Sequence, residues 1–327
     1  MPTPVLSILV PCFNEQESLA ACDAGLRAVL DALGLSYEIV YVDDGSTDAT
    51  PGLLKALHAR DERTVVVQLA RNFGHQLAVS AGLGVARGDA VVITDADLQD
   101  PPAVIEEMVA LWQKGYHVVY GVRTRRAGES RFKLLSAKLF YRLIQRLSDV
   151  AIPLDSGDFR LLDRRVVDAL LAMPERHRLL RAMCCWVGFR QTGVLYQRDA
   201  RFAGTTKYPF RKMLHLALDG IFSFSTTPLR MLTYAGFGAA VLSFVGIVWA
   251  LMVRILTRHW VAGWATLFVG MLFLSGLQMI SLGVIGEYLG RVYTEVKQRP
   301  LVIIASILRS SDTPPLREHS WRGDGKG

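Results

Sequence analysis

The acidic run Thr94-Asp95-Ala96-Asp97-Leu98-Gln99-Asp100-Pro101-Pro102 follows directly on the apolar stretch AVVI at 90–93. Two hard carboxylates one residue apart, at the end of an extended segment, suit Mg2+ or Mn2+ and leave coordination positions open for a diphosphate. A cation there neutralises charge that builds on a departing nucleotide. Asp95 and Asp97 are therefore candidate metal ligands. Gln99 is a further neutral ligand or a residue that orients one, and Asp100 caps the helix opened by Pro101 and Pro102. An isolated Asp-x-Asp reads as well as a capping turn. The surrounding polar turns favour the metal: Pro11-Cys12-Phe13-Asn14-Glu15, Asp43-Asp44-Gly45-Ser46, Arg71-Asn72-Phe73-Gly74-His75 and Gly121-Val122-Arg123. Asp43 and Asp44 suit hydrogen bonds from a base N–H or a ribose hydroxyl, and Ser46 and Asp48 are good caps; both roles are expected, split among these residues.

These turns share a position relative to the elements before them. Val5–Val10, Tyr37–Val42, Thr64–Leu69, Ala90–Thr94 and His117–Tyr120 are short runs rich in β-formers. Between them, Leu19, Cys22, Leu26, Val29, Leu30 and Leu33 recur at helical spacing. Further helices are expected after Thr47, over His75–Arg87, and from Pro101 to about Lys114. Alternating strands and helices predict an α/β fold with a mostly parallel sheet and helices on both faces. Ligands bind such sheets at the carboxyl ends of the strands, where all five turns fall. No G-x-G-x-x-G or Walker A pattern follows a strand, which argues against dinucleotide and P-loop enzymes.

Composition narrows the partners. The chain has 327 residues, 51% of them hydrophobic and 20% charged, with 37 Lys and Arg against 30 Asp and Glu for a net charge of +7. That excludes disorder over most of its length and fits phosphate-rich partners. The aromatic–basic interleaving of a nucleic-acid binder is missing. Cys12, Cys22, Cys184 and Cys185 form no C-x-x-C pair and no zinc-ligand spacing, so reduced thiols in a cytosolic compartment are expected. The start, Met-Pro-Thr-Pro-Val, lacks the pattern of a signal peptide.

A mean hydropathy of +0.26 points to bilayer segments. Met231–Val253 carries no charge, and a helix over it reaches about 34 Å, enough for about 30 Å of hydrocarbon. A second charge-free run spans Val261–Gly286. The alternative is a pair of buried core helices, but core helices of this length usually carry a polar face. Basic residues flank the pair (Arg198, Arg201, Lys207, Arg211, Lys212 and Arg230 before; Arg291, Lys297, Arg299 and Arg309 after), while the link holds Arg254 and Arg258. The positive-inside bias puts both termini and the catalytic part in the cytoplasm. Pro209–Ser225 reads as an interfacial amphipathic helix or an ordinary helix on the soluble domain. The resulting division is a catalytic domain over 1–208, an amphipathic segment over 209–230, two membrane helices within 231–289 (about 231–253 and 263–286) and a tail over 290–327.

The motifs VPCFNE (Val10–Glu15), VDDGSTD (Val42–Asp48), RNFGHQLA (Arg71–Ala78) and TDADLQDPP (Thr94–Pro102) resemble those of family 2, GT-A-type glycosyltransferases. DSGDFRLLDR (Asp155–Arg164), RFAGTTKYP (Arg201–Pro209) and GEYLGRVYTEVKQRP (Gly286–Pro300) make the chain similar to the polyprenyl-phosphate sugar transferases, the dolichyl-phosphate mannose synthase and bactoprenol glucosyltransferase group. The resemblance implies a nucleotide pocket lined by Pro11, Phe13 and Glu15, with Asp44 at the base. It places Asp95 and Asp97 at the diphosphate, with Asp97 and Gln99 on the metal. Arg123, Arg201 and Lys207 would clamp phosphates, with Arg131 and Lys133 as further candidates; guanidinium geometry suits that work on its own physical terms.

The resemblance also makes Asp158 the acceptor-side carboxylate. A general base is needed for a hydroxyl acceptor, whereas a phosphate monoester, with a second pKa of about 6, is already mostly ionised. Orienting the acceptor or the sugar is then the alternative role. The implied reaction is an inverting, metal-dependent transfer of one sugar from a nucleotide donor to undecaprenyl or a related polyprenyl phosphate at the inner membrane, UDP-glucose being the leading donor. The Q-x-x-R-W motif of processive polysaccharide synthases is missing; Arg181-Ala-Met-Cys-Cys-Trp186 does not match it. A non-catalytic binding scaffold is opposed by the intact acidic cluster. Self-association is expected, with Gly236, Gly238, Gly270, Gly276 and Gly283 available for close helix contact.

Overall fold

The computed structural model describes residues 4–124, 156–176, 178–197, 227–257 and 263–310, which fall into two compact units. The first holds eight strands: β1 (Leu6–Cys12), β2 (Tyr37–Asp43), β3 (Thr64–Leu69), β4 (Ala90–Ile93), β5 (Val118–Arg123), β6 (Ser156–Asp163), β7 (Gln191–Tyr196) and β8 (Ile304–Leu308). They form one sheet in the order β7-β5-β6-β4-β1-β2-β3-β8. β1 is buried along its whole length, as is β2, which explains their near-continuous apolar sequence.

Among the described residues six helices accompany the sheet: α1 (Leu19–Leu33), α2 (Thr50–Arg60), α3 (His75–Val85), α4 (Val104–Gln113), α5 (Arg164–Ala172) and α6 (Leu180–Trp186). Leu6, Ile8 and Val10 of β1 share a core with Leu19, Leu26 and Leu30 of α1 and with Ile105 and Met108 of α4. The alternate residue, Leu9, faces the other way, against α3 at Gly82. The period-two alternation of β1 thus feeds a helical layer on each face. α1 ends at Gly34 in the left-handed conformation, the usual stop for a helix.

The sheet is mostly parallel, as expected, with two strands that run against their neighbours. β1 pairs in parallel with β2 and β4, β2 with β3, and β5 with β7. β6 runs against both β4 and β5, and β8 runs against β3. The reversal of β6 matters for chemistry. Arg160 pairs with Ile93, so two residues earlier on β6 Asp158 stands beside the point where Asp95 leaves β4. A strand that begins at this rim delivers its first residues to the edge where its neighbours deliver their last.

β8 lies within the stretch expected as a tail. Its backbone completes the edge of β3: the Ala70 N–H donates to the Ile303 carbonyl at 2.9 Å, and Arg309 reaches Glu38 at 3.4 Å and the Val85 carbonyl at 2.8 Å. A largely apolar stretch, Ile304–Leu308, pairs where a polar tail would remain in solvent.

The second unit contains α7 (Thr227–Thr257) and α8 (Trp264–Val296). Each holds a window long and apolar enough to cross a membrane, Leu229–Gly246 and Leu267–Val296, and no part of either window is buried within the structure. Phe237, Leu242, Phe244, Phe273 and Met279 are all more than two-thirds exposed. That is not the pattern of core helices.

Candidate active site

The rim at the carboxyl ends of β1 to β5 is built from loops that bond to one another. Asn14, at φ 56°, follows β1; its N–H donates to Ser46 Oγ at 3.0 Å and its Oδ1 accepts from the Thr47 N–H at 2.8 Å. Glu15 N–H donates to Thr50 Oγ1 at 2.9 Å, and its carboxylate accepts from Ser18 Oγ at 2.8 Å. Pro11 lies buried in β1, while Phe13 is 39% exposed at the rim.

The turn after β2 is equally committed. Asp43 accepts from the Ser46 N–H at 3.0 Å. Gly45 has φ 70°, and a Cβ there would stand 2.6 Å from the backbone of Arg71 and Asn72, so only glycine fits. Asp44, predicted at a nucleotide base, is buried and accepts the Phe73 and Gly74 N–H groups at 2.7 and 2.9 Å. Burial pushes its pKa up against those two hydrogen bonds. Asp44 thus fixes the loop that launches α3.

That loop delivers His75, first residue of α3, to the centre of the rim. Its Nε2 lies 3.4 Å from Asp158 Oδ2 and 3.9 Å from Asp95 Oδ1. Burial alone would lower its pKa, but the hydrogen bond to Asp158 and the charges of Asp95 and Asp158 raise it to about 9. Gln76 donates Nε2 to Asp158 Oδ2 at 2.9 Å, and Arg181 of α6 approaches Asp158 Oδ1 at 3.4 Å. Burial would raise the Asp158 pKa, yet the His75 hydrogen bond and the Arg181, Arg160 and His75 charges hold it well below the usual carboxylate range.

Asp95 has the opposite setting. Burial raises its pKa to about 6; His75 opposes this, while Asp100, Asp158 and Asp97 add to it. Asp97 is buried and accepts from the Gln99 N–H at 3.2 Å across a turn in which Leu98 has φ 57°. The Leu98 side chain lies toward Gly25 of α1, which anchors the turn. Asp100 is buried and accepts from Tyr196 Oη at 2.6 Å rather than capping α4, whose first-turn cap is Ala103. Arg123 Nε donates to the same Tyr196 oxygen at 3.3 Å. Its guanidinium lies over Gly157, where a Cβ would come within 2.6 Å of Nη2.

The donor chemistry of Asp95, Asp97 and Gln99 is all oxygen, and crowded carboxylates favour a divalent cation. Among the described residues, no group of three or more His, Cys, Asp or Glu side chains gathers at metal-binding distances. The oxygen donors of Asp95, Asp97 and Gln99 are of the type that Mg2+ or Mn2+ takes. Asp95, Asp97, Arg123 and Asp158, nominated from sequence, meet at this rim. Arg131, Lys133, Arg201 and Lys207, with Pro209–Ser225, lie outside the described residues. His75, Gln76, Arg181 and Tyr196 were not nominated. His75 and Gln76 stand within RNFGHQLA, where the signal was present without a role; Arg181 and Tyr196 carry no local signature.

A mixed sheet with helices on both faces and an acidic turn after its fourth strand is the GT-A fold of nucleotide-sugar transferases. Residues 7–171, just over half the chain, match Glycosyl transferase family 2, and the chain belongs to that family and is a glycosyltransferase. It is 45% identical over 298 residues to an uncharacterized glycosyltransferase of Bacillus subtilis (strain 168), covering 91% of this chain and 92% of that one. It is 41% identical over 302 residues to a prophage bactoprenol glucosyl transferase homolog of Escherichia coli (strain K12), covering 92% and 99%. Among solved structures, glucosyl-3-phosphoglycerate synthase from Mycobacterium tuberculosis, in complex with Mn2+, uridine-diphosphate and phosphoglyceric acid, matches 67% of this chain and 76% of its own at 20% identity and a TM-score of 0.48.

Proposed function

We propose that this glycosyltransferase moves one sugar from a nucleotide sugar, UDP-glucose foremost, to the phosphate of undecaprenyl or a related polyprenyl lipid. One observation carries the reading. A rim of carboxylates and Arg123 belongs to the same chain as two helices with uncovered apolar surfaces. A water-soluble donor and a lipid-buried acceptor require that combination. The prophage bactoprenol glucosyl transferase homolog at 41% identity supports the same acceptor class.

In this reading α7 and α8 span the membrane with both flanks in the cytoplasm, and the product is a lipid monophosphate sugar. An acceptor phosphate oxygen attacks the anomeric carbon from the face opposite the diphosphate. The new C1–O bond forms as the C1–O bond to the diphosphate breaks, so configuration inverts. Because the acceptor phosphate is largely ionised at neutral pH, no proton need be removed. Asp158 then orients the acceptor or the sugar as a fixed anion. Arg123 holds donor phosphate, positioned by Tyr196, while Phe13 and Glu15 border the nucleotide. A divalent cation held by Asp95, Asp97 and Gln99 would neutralise charge on the departing diphosphate. Arg201, Lys207 and Arg131 are assigned to acceptor phosphate.

The test is turnover of the purified full-length protein with Mg2+ or Mn2+, undecaprenyl phosphate and a panel of labelled nucleotide sugars. One sugar per lipid is the expected product. No lipid-linked label with any donor overturns the reading, and a polymer would reassign the protein to processive synthesis.

A further inference from the structure

Asp158 is bound on both carboxylate oxygens by side chains from two separate helices. Oδ1 faces Arg181 of α6 at 3.4 Å; Oδ2 accepts from Gln76 of α3 at 2.9 Å and faces His75 at 3.4 Å. Gln76 does a second job. Its Oε1 accepts the Leu180 N–H at 3.1 Å. Leu180 is the first residue of α6, and its N–H belongs to the donors that a helix start leaves without an intrahelical partner. The amide orientation is fixed by chemistry, since a carboxylate needs the donor end and a backbone N–H needs the acceptor end. One side chain therefore ties Asp158 to the start of α6, one residue before Arg181.

The backbone of Asp158 is held from beneath. Arg160, buried, donates Nη2 to the Gly157 carbonyl at 2.7 Å, and Gly157 supports Arg123. The carboxylate thus has little freedom in rotation or translation. Ordinary surface pairing does not produce this arrangement: Asp158 side-chain exposure is 16% and that of Arg181 is 31%.

We propose that Gln76 and Arg181 are positioning residues of the transfer reaction, which act by locking the Asp158 carboxylate in one orientation at the rim. This rests on the reading of Asp158 as a working group of the site. Its consequence is that Asp158 serves as an oriented anion, because each carboxylate oxygen faces a side-chain donor that fixes its direction. Misplacement of a reacting group by about 1 Å costs about a hundredfold in rate, so loss of either partner is expected in kcat rather than in substrate affinity.

The experiment compares the full-length protein with Asp158→Asn, Arg181→Met, Arg181→Lys, Gln76→Leu, Gln76→Glu and the double variant Asp158→Asn/Arg181→Met. Turnover is measured with undecaprenyl phosphate and UDP-glucose or, if UDP-glucose is not used, whichever of UDP-N-acetylglucosamine, UDP-galactose and GDP-mannose is. Thermal melting is recorded for each. Arg181→Met and Gln76→Leu are expected to lower kcat about tenfold to a hundredfold, with donor and acceptor KM nearly unchanged. Arg181→Lys should recover most of the loss. Gln76→Glu matches the shape and still accepts from Leu180, but cannot donate to Asp158, and it should fall with Gln76→Leu. Because Arg181 acts through Asp158, the double variant should be no slower than Asp158→Asn alone. Full turnover in Asp158→Asn overturns the reading of Asp158 and this inference with it. A slow Asp158→Asn beside normal Arg181 and Gln76 variants overturns the inference alone, as does a double variant whose loss is the product of the single losses. A fall that tracks melting temperature across the series, Arg181→Lys included, assigns both residues to folding and also overturns it.

Discussion

Asp95 and Asp158 flank the same imidazole, 3.9 and 3.4 Å from His75 Nε2, yet they live in opposite electrostatic worlds. Around Asp158 the protein supplies the compensating charge itself, through His75, Arg181 and Arg160. Around Asp95 the strongest influences beyond His75 are acidic, from Asp100, Asp158 and Asp97, with Arg123 a weaker cationic neighbour. One carboxylate is complete within the fold, and the other is left with an excess of negative charge. Environments that push two carboxyl groups apart mark different tasks. On the proposed reading, that difference suits the β4 turn to a positive group from outside and the β6 start to holding geometry.

The sharpest way to break this comparison is on the β4 side. Asp97→Asn keeps the shape of the turn and removes a charge, and it should lower kcat about a thousandfold, measured as lipid-linked sugar formed per enzyme. Chelation with EDTA should abolish wild-type turnover, and added Mn2+ or Mg2+ should restore it. If Asp97→Asn turned over normally and EDTA had no effect, the contrast between the two carboxylates would have lost its chemical meaning.

The β4 side was also the part legible in sequence. Asp95 and Asp97 end a strand whose apolar run announces itself, and local order fixes where they go. Asp158 was identifiable as a candidate only through resemblance. Its place beside Asp95 depends on β6 running antiparallel to β4, which is a long-range pairing with no local periodicity to reveal it. His75 and Gln76 were readable as a polar turn before a helix, but their partners come from 83 and 82 positions along the chain. Tyr196 sits in an edge strand whose sequence, QTGVLY, has no strong alternation. β8 escaped notice for a related reason: a five-residue strand far from its partner β3 reads as a tail until the sheet edge is seen. The two apolar helices lie at the other extreme. Length and composition sufficed to mark them as long apolar helices, because a helix forms from local order without a distant partner.

The bridge between the two sides offers the next test. Arg123, proposed for donor phosphate, rests on Gly157, the residue before Asp158. Gly157→Ala pushes a methyl group into the guanidinium, whose flexible end can move, so the fold should survive. Donor kcat/KM should fall about tenfold to a hundredfold, and Arg123→Ala should produce a loss of similar size. A Gly157→Ala enzyme with unaltered donor kinetics would show that the position of Arg123 does not matter. Tyr196→Phe is milder. It removes the hydroxyl that donates to Asp100 at 2.6 Å and accepts from Arg123 at 3.3 Å, while its ring retains the edge-on contact with Phe159. One hydrogen-bonding group lost costs about 1 kcal/mol, or about fivefold, expected in donor kcat/KM.

The smallest effect belongs to Leu98, and it distinguishes two ways of holding a carboxylate. Asp158 is held by side chains that bond to its oxygens. Asp97 is held by the shape of its turn, in which Leu98 adopts φ 57°. A leucine in the left-handed region costs about 1–2 kcal/mol; its packing against the core next to Gly25 offsets this. Leu98→Asn lowers the conformational cost and forfeits the packing, two terms of about 1 kcal/mol each and opposite in sign. The melting temperature should therefore move by less than about 4 °C. Turnover should still drop a few fold, because the turn that aims Asp97 loses its anchor on α1. Combined with Arg181→Met, the losses should multiply, since the two variants loosen different carboxylates by different means. A combined variant no slower than Arg181→Met alone would mean that the two carboxylates are held as one unit, and the contrast between them would have to be redrawn as a single coupled network.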